Sequence, residues 1–304
     1  MAGILTEIKH RFEAGSILAK FIFINAGAFI IIRLLYIILS FFIKEPSFLE
    51  YIEAPSSLTL MMRRPWTIFT YMFVHFDFLH ILFNMLWLYW FGKIFLIFFT
   101  GRQLGGLYIL GGIAGVALFL ICYNTLPFLK QYSENSFLAG ASASVMAIVF
   151  AVSFYRKEHR INLLLIGSIK LIYLAIGVFL LDLIAITSEN AGGHIAHIGG
   201  SLFGILFASQ YNKGKDISSF MNRLIDKFVN LISKKPQFKT YRQDKKNANK
   251  KNNNGRRPET DDEYLRRRKE DERIIDVILD KLKRSGYESL STEEKKKLFD
   301  ASRK

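Results

Sequence analysis

The sequence predicts an all-α polytopic membrane protein, a bundle of six transmembrane helices, and two observations carry that prediction. Apolar residues make up 51% of the chain and gather before about residue 210 into six runs near the ~20-residue length that a bilayer core requires. Lys and Arg then recur on alternate connections between those runs, which is the charge bias that sets membrane topology.

The runs are Phe21–Ile43, Phe78–Phe99, Leu104–Cys122, Phe137–Phe154, Leu163–Ile186 and Ile195–Gln210. The first is too long for the core of a signal peptide and reads as an uncleaved span. The fourth and sixth are short and rich in Gly or Ser, which suits the buried centre of a bundle where backbones approach closely. Lys9, Arg11 and Lys20 precede the first run, Arg102 follows the second, and Arg156, Lys157 and Arg160 follow the fourth. With the basic tail after the sixth, all of these fall on one side, which is then the cytoplasmic side. Arg63 and Arg64 lie on the outer side against this trend.

This topology makes a prediction that was not built into it. Runs two, four and six all enter from outside, so His80 and Asn84, Ser142, and His194 and His197 fall near the outer ends of three different helices. Nucleophilic and ionisable groups are scarce in spans and usually mark function there. Ser142 supplies a candidate nucleophile and His197 a candidate base, as serine-dependent peptide hydrolysis requires. Gly200 and Gly204 share a helical stripe with His197, and Gly140 and Ala143 flank Ser142. Such small residues let an imidazole and a hydroxyl on separate helices meet. The backbone N–H of Ser142, with Asn84 and His80, supplies donors for a developing oxyanion. Other ionisable residues have plainer expectations. Lys93 and Lys170 are close enough to cytoplasmic ends to snorkel, while Arg33 and Asp182 lie deeper and either pair or face a polar cavity.

After residue 210 there are 27 Lys and Arg against 16 Asp and Glu, so the tail carries most of the net charge of +15. Without a nucleic-acid motif, that charge suits anionic lipid headgroups better than nucleic acid. Lys213–Lys235 is amphipathic, with Ile217, Phe220, Met221, Leu224, Ile225, Phe228 and Leu231 at helical spacing, and is expected on the membrane surface or against the bundle. Pro236–Pro258 reads as a linker rich in Lys, Asn and Arg. Beyond it Ile274, Ile275, Ile278, Leu279 and Leu282 form a stripe ended by Gly286, and Ser291 with Glu294 forms a capping box for a last helix through Leu298 and Phe299. A unit this small has little core of its own, so docking on a protein partner is expected of it rather than catalysis. The lone Cys122 permits no internal disulfide.

Each motif has a bland reading beside the chemical one. A membrane serine commonly bonds its own i−4 carbonyl, glycines four apart pack helices in many bundles, and histidines near helix ends anchor at interfaces. His75, His80, His194 and His197 could together ligate a metal, but no His-Glu-x-x-His arrangement is present, so no metal and no cofactor is expected.

Taken together, the motifs between about Met61 and Ala208 resemble the rhomboid intramembrane serine proteases. Gly140-Ala-Ser142-Ala looks like the family's Gly-x-Ser-x motif. Ala196-His197-Ile-Gly-Gly200-Ser-Leu-Phe-Gly204 matches Ala-His-x-x-Gly-x-x-x-Gly, and His80-Ile-Leu-Phe-Asn84 matches His-x-x-x-Asn. The resemblance implies Ser142 as nucleophile and His197 as general base in a dyad with no acidic third member, with His80 and Asn84 supporting the oxyanion. It also implies substrates that are membrane-spanning segments, cut near their outer ends. Three positions depart from the pattern. Ala143 stands where many relatives have glycine, Met146 where an aromatic often packs on the imidazole, and Pro65-Trp66-Thr67 has the tryptophan of a Trp-Arg motif without its arginine.

The expected organisation is therefore a cytoplasmic segment over 1–20, a six-span rhomboid protease domain over 21–210, a basic amphipathic segment and linker over 211–258, and a small cytoplasmic helical module over 259–304. The expected setting is a bacterial inner membrane with both termini cytoplasmic. A non-catalytic relative that binds membrane segments is the alternative, although such relatives usually lack the Ser–His pair. A small-solute transporter would favour internal repeats and midplane charges, which this sequence lacks.

Overall fold

The computed structural model describes residues 15–44, 46–163, 167–188 and 190–232, together with 274–275, 277–283, 285–286, 289–295 and 298. The chain divides into two units, Met1–Pro236 and Gln237–Lys304. Lys9, Arg11, the linker over 236–258 and Phe299 lie outside the described residues, as do the side chains of Phe228 and Leu231.

The first unit is a helical bundle. Its apolar helices are α1 Ile17–Ser40, α2 Phe78–Phe98, α3 Gly101–Thr125, α4 Ser142–Tyr155, α5 Leu171–Ile184 and α6 Ala191–Asn212. Of these, α1, α2, α3 and α6 are long and apolar enough to cross a membrane, whereas α4 and α5 are shorter apolar helices. At about 1.5 Å per residue, a 14-residue helix such as α4 or α5 spans only about 21 Å. The protein is thus an all-α polytopic membrane protein.

Three expected boundaries are corrected. The fourth run becomes helical only at Ser142, because Phe137–Leu138 is a strand paired with Ala54–Pro55. The sixth run is the full-length helix α6, because tertiary contacts hold its glycine-rich first turn: a Cβ on Gly192 would lie 2.8 Å from the Phe119 ring. The fifth begins at Leu171, because the chain before it folds into a hairpin. Strand Arg160–Leu163 (β3) pairs antiparallel with Gly167–Lys170 (β4), and Gly167 turns with φ of 83°. Arg160, Asn162, Ser168 and Lys170 alternate with apolar residues there, a period that suits a strand rather than a span. Lys170 ends paired to Glu158 at 2.6 Å, and Lys93 donates to the Tyr89 hydroxyl, so both ammonium groups find polar company.

α4 is the central element, buried from Ala143 to Ser153. Glycines let its neighbours reach it. A Cβ on Gly200 of α6 would lie 2.0 Å from the Ala143 carbonyl oxygen, and one on Gly204 would lie 2.3 Å from that of Ala147. On the other side, a Cβ on Gly111 of α3 would lie 2.3 Å from the Ala147 methyl. Lipid tails are as apolar as leucine, so close backbone contact of this kind is what drives helices together in a membrane. By contrast, α1 keeps Ile30, Ile31, Leu34 and Ile38 exposed, as a lipid-facing helix does. It is tied inward by the buried Asn25, whose Nδ2 donates to the Tyr108 hydroxyl at 3.1 Å.

Ala54–Pro55 (β1) pairs with Phe137–Leu138 (β2), joining the loop after α1 to the segment that leads into α4. The same loop is held by Trp66 Nε1, which donates to the Tyr51 carbonyl at 2.7 Å. Arg64 donates to the Glu50 carbonyl at 2.7 Å and lies 4.1 Å over the Tyr51 ring. At the other end of the bundle, α7 (Ser219–Ile232) follows α6. Ser218 and Met221 are buried while Phe220 and Leu224 remain exposed, so this stretch both packs on the bundle and presents an apolar edge. Asp226 accepts two bonds from Arg102 at 2.8 and 2.9 Å, and Asp216 accepts from Gln103 at 3.0 Å.

In the second unit, Gly286 turns with φ of 74°, and the capping box forms: Ser291 N–H donates to Glu294 at 2.7 Å and Glu294 N–H to Ser291 Oγ at 3.2 Å. Among the described residues of this unit Ile278 and Leu290 are buried, while Leu279 of the expected stripe stays exposed.

Gly200→Leu is expected to lower the melting temperature in detergent markedly, since overpacking a fixed backbone contact costs about 1–3 kcal/mol or more. Gly27→Ala, where a Cβ meets nothing within 4 Å, should leave it unchanged. Equal effects of the two would show that the α4–α6 contact does not set stability.

Candidate active site

The cavity that holds the expected residues is built from three helices. It measures about 280 Å³ and is lined by His80, Phe83, Asn84 and Trp87 of α2, Ala139, Ser142, Val145 and Met146 on and before α4, and Asn190, Gly193 and His197 on and before α6. Ser142, His197, His80 and Asn84 are therefore brought together. The wall between them is largely apolar.

Ser142 is the first residue of α4, after an extended segment that ends at Gly140. Gly140 has φ of 119°, a conformation that L side chains rarely adopt, and a Cβ there would lie 2.8 Å from His80 Cε1. Glycine is thus required twice, by the backbone turn and by the imidazole packed on it. No side chain caps α4, so the N–H groups of its first turn lack an intrahelical partner beside the cavity. The other serine is excluded by geometry. Ser144 is fully buried, and its Oγ lies 2.8 Å from a Cβ built on Gly112, so it faces α3 rather than the cavity.

On α2, Asn84 is buried, and its Nδ2 donates to the His80 carbonyl at 2.9 Å, leaving a second amide hydrogen uncommitted. Asp77 caps α2, its carboxylate accepting from His80 N–H at 3.2 Å. His75 lies before α2 and does not line the cavity. Its Nε2 accepts the Ala141 N–H at 3.2 Å, fixing the backbone immediately before Ser142.

The imidazole of His197 has a neighbour that the resemblance did not imply. Asp182 of α5 is 5% exposed, and its Oδ1 lies 2.9 Å from His197 Nδ1 and 2.8 Å from His194 Nδ1. An expected pair with no acid beside it is corrected to one whose histidine contacts a buried carboxylate. Asp182 stands two residues from the end of α5 and does not pair with Arg33, which lies 4.5 Å over the Phe76 ring. These three ligand-type atoms lie within 4.8 Å of one another, so this trio, rather than four histidines, is the group whose donors would suit a divalent cation. The signal was present in the sequence as a lone acid near the outer end of run five, but sequence spacing does not show which helix faces it. Among the described residues, Ser142 Oγ and His197 share the cavity without a hydrogen bond to one another.

A polytopic helical membrane protein with a serine, two histidines and an asparagine around one apolar cavity defines a class, and the comparisons agree with it. The Rhomboid domain matches residues 62–212. The chain belongs to the rhomboid family. The protein named "RHOMBOID-like protein 12, mitochondrial" of Arabidopsis thaliana is 29% identical over 160 residues, which cover 49% of this chain and 47% of that protein. The match thus spans about half the length of this curated relative. Residues 259–304 match a family of unknown function, DUF6576.

Burial, and next to it the neighbouring His80, lowers the pKa of His75 from 6.5 to about 4. The folded protein therefore favours the neutral ring that accepts from Ala141. That contribution is fully present above the unfolded value near 6.5 and is lost as pH falls toward 4. Melting temperature is expected to fall across this window more steeply in the wild type than in His75→Gln. Parallel curves would remove His75 as the titrating group.

Proposed function

We propose that this protein is an intramembrane serine endopeptidase that cleaves transmembrane segments of membrane proteins near their outer ends. The observation that supports it most is the convergence of Ser142 and His197, from separate helices, on one cavity that also holds Asn84 and His80. Family membership supports it too.

In this reading Ser142 Oγ attacks the substrate carbonyl while His197 Nε2 takes its proton, and His197 later returns that proton to the leaving amine. The backbone N–H of Ser142, the free amide hydrogen of Asn84 and the His80 ring stabilise the oxyanion. Catalytic hydrogen bonds often tighten only with substrate bound, so the serine and histidine engage as the substrate enters. The apolar lining by Phe83, Trp87, Val145 and Met146 suits a substrate arriving from lipid. Water enters from the outer side, where irregular backbone is tolerated because it lines a cavity.

The Lys and Arg bias supports six crossings with both termini cytoplasmic; the setting proposed is a bacterial inner membrane. The partners are the bilayer and transmembrane substrates, with a protein partner for the helical module over 259–304, and no nucleic acid. The reaction needs no metal or cofactor.

The test is cleavage of a reconstituted model transmembrane substrate, with sites read by mass spectrometry. The wild type should cut near the substrate's outer end, and Ser142→Ala and His197→Ala should not. Asn84→Ala should keep the fold and lose about 10²–10³ in turnover. Stable substrate binding with no cleavage by the wild type would contradict the protease reading and favour a non-catalytic binder of membrane segments.

A further inference from the structure

Asp182 is in an unfavourable place for a carboxylate. It stands in the apolar run Phe179-Leu-Leu-Asp182-Leu-Ile184, in the last turn of α5, where the negative end of the helix dipole disfavours an anion. It is buried, and its Oδ2 has no hydrogen-bond partner. A charge so placed in a membrane protein is costly and is retained where it serves the site. What stabilises it is the pair of imidazoles, His194 and His197, three apart on one face of α6. Both present Nδ1 to the same oxygen, at 2.8 and 2.9 Å.

We propose that Asp182 is a positioning residue for proteolysis, holding His197 with its proton on Nδ1 so that Nε2 offers its lone pair to Ser142. This deepens the protease reading and rests on it. A carboxylate only accepts hydrogen bonds, so each Nδ1 facing Oδ1 must carry the hydrogen. In a neutral ring the other nitrogen is then unprotonated. His197 therefore arrives at the cavity as a base with its tautomer already chosen. As the bond from Ser142 Oγ to the carbonyl carbon forms, the hydroxyl proton moves to Nε2 and the carbonyl electron pair moves to oxygen. The imidazolium so produced lies against the Asp182 carboxylate, which stays ionised throughout. When the carbon–nitrogen bond breaks, Nε2 returns the proton to the leaving amine. His194 shares the same oxygen and fixes the carboxylate between the two rings.

Three variants of the full chain test this in the reconstituted cleavage assay. Asp182→Asn offers His197 an amide that can donate, which favours the wrong tautomer, and should lower kcat about 10²–10⁴-fold. KM should stay within about twofold, since the substrate-lining residues are untouched. Asp182→Glu retains a carboxylate and should keep more activity than the closer isostere Asn, whereas a purely steric role predicts the reverse order. Selective ¹⁵N-histidine labelling supplies a readout independent of cleavage. The chain has six histidines, and His197 is assigned by its loss in His197→Gln. Its wild-type signals should show a protonated Nδ1 and an unprotonated Nε2, and Asp182→Asn should redistribute them.

The proposal is overturned if the wild type cleaves, Ser142→Ala does not, and Asp182→Asn matches the wild type in kcat. It is equally overturned if the wild-type His197 carries its proton on Nε2, or if a chelator abolishes activity, which would make Asp182, His194 and His197 a metal centre. A wild type that cleaves nothing would instead overturn the protease reading beneath it.

Discussion

The structure depends on how closely α6 can approach α4. Side chains at Gly200 and Gly204 would occupy the space of the Ala143 and Ala147 carbonyls, so these helices meet backbone to backbone. In lipid no hydrophobic force drives that meeting, and close packing must supply it. The consequence is chemical as well as structural. His197 lies one turn before Gly200, and Ser142 immediately before Ala143, so the contact that holds the bundle together also delivers the imidazole and the hydroxyl to one cavity.

The segments around the start of α4 fix what the helix contact cannot. Gly140 lets the chain turn into α4 under the His80 ring, His75 takes the Ala141 N–H, and β1 pairs with β2. The residue before Ser142 is thereby held without any side chain capping α4. A capping side chain would compete for the first-turn N–H groups that an oxyanion needs. The short α4 has a related consequence. A strand at Phe137–Leu138 and a turn at Gly140 stand in place of further helix, so the polar groups line a cavity at the start of α4.

Much of this was legible in the sequence. Hydropathy located six apolar helices, and the charge bias predicted that Ser142, His197, His80 and Asn84 share one depth; in the structure all four line one cavity. Spacing to small residues pointed to the α4–α6 contact, and the resemblance to the rhomboid motif selected Ser142 as the nucleophile. The failures were of three physical kinds. Residues 163–170 read as part of a span because their apolar content outweighed an alternation that only strand pairing reveals. The glycine-rich start of α6 read as loop because its stability comes from Phe119 and other tertiary contacts rather than propensity. Asp182 read as a deep unassigned charge because its partners are on another helix, 12 and 15 residues away, and no local pattern encodes that approach.

The central claim is that one serine of two is set opposite His197 by helix packing. It is tested most directly by treating the reconstituted protein with a fluorophosphonate probe and locating the adduct by mass spectrometry, in the wild type and in His197→Ala. The account predicts an adduct on Ser142 that forms rapidly in the wild type and is lost when the imidazole is removed. An adduct on Ser144, or labelling of Ser142 at the same rate without His197, would contradict it.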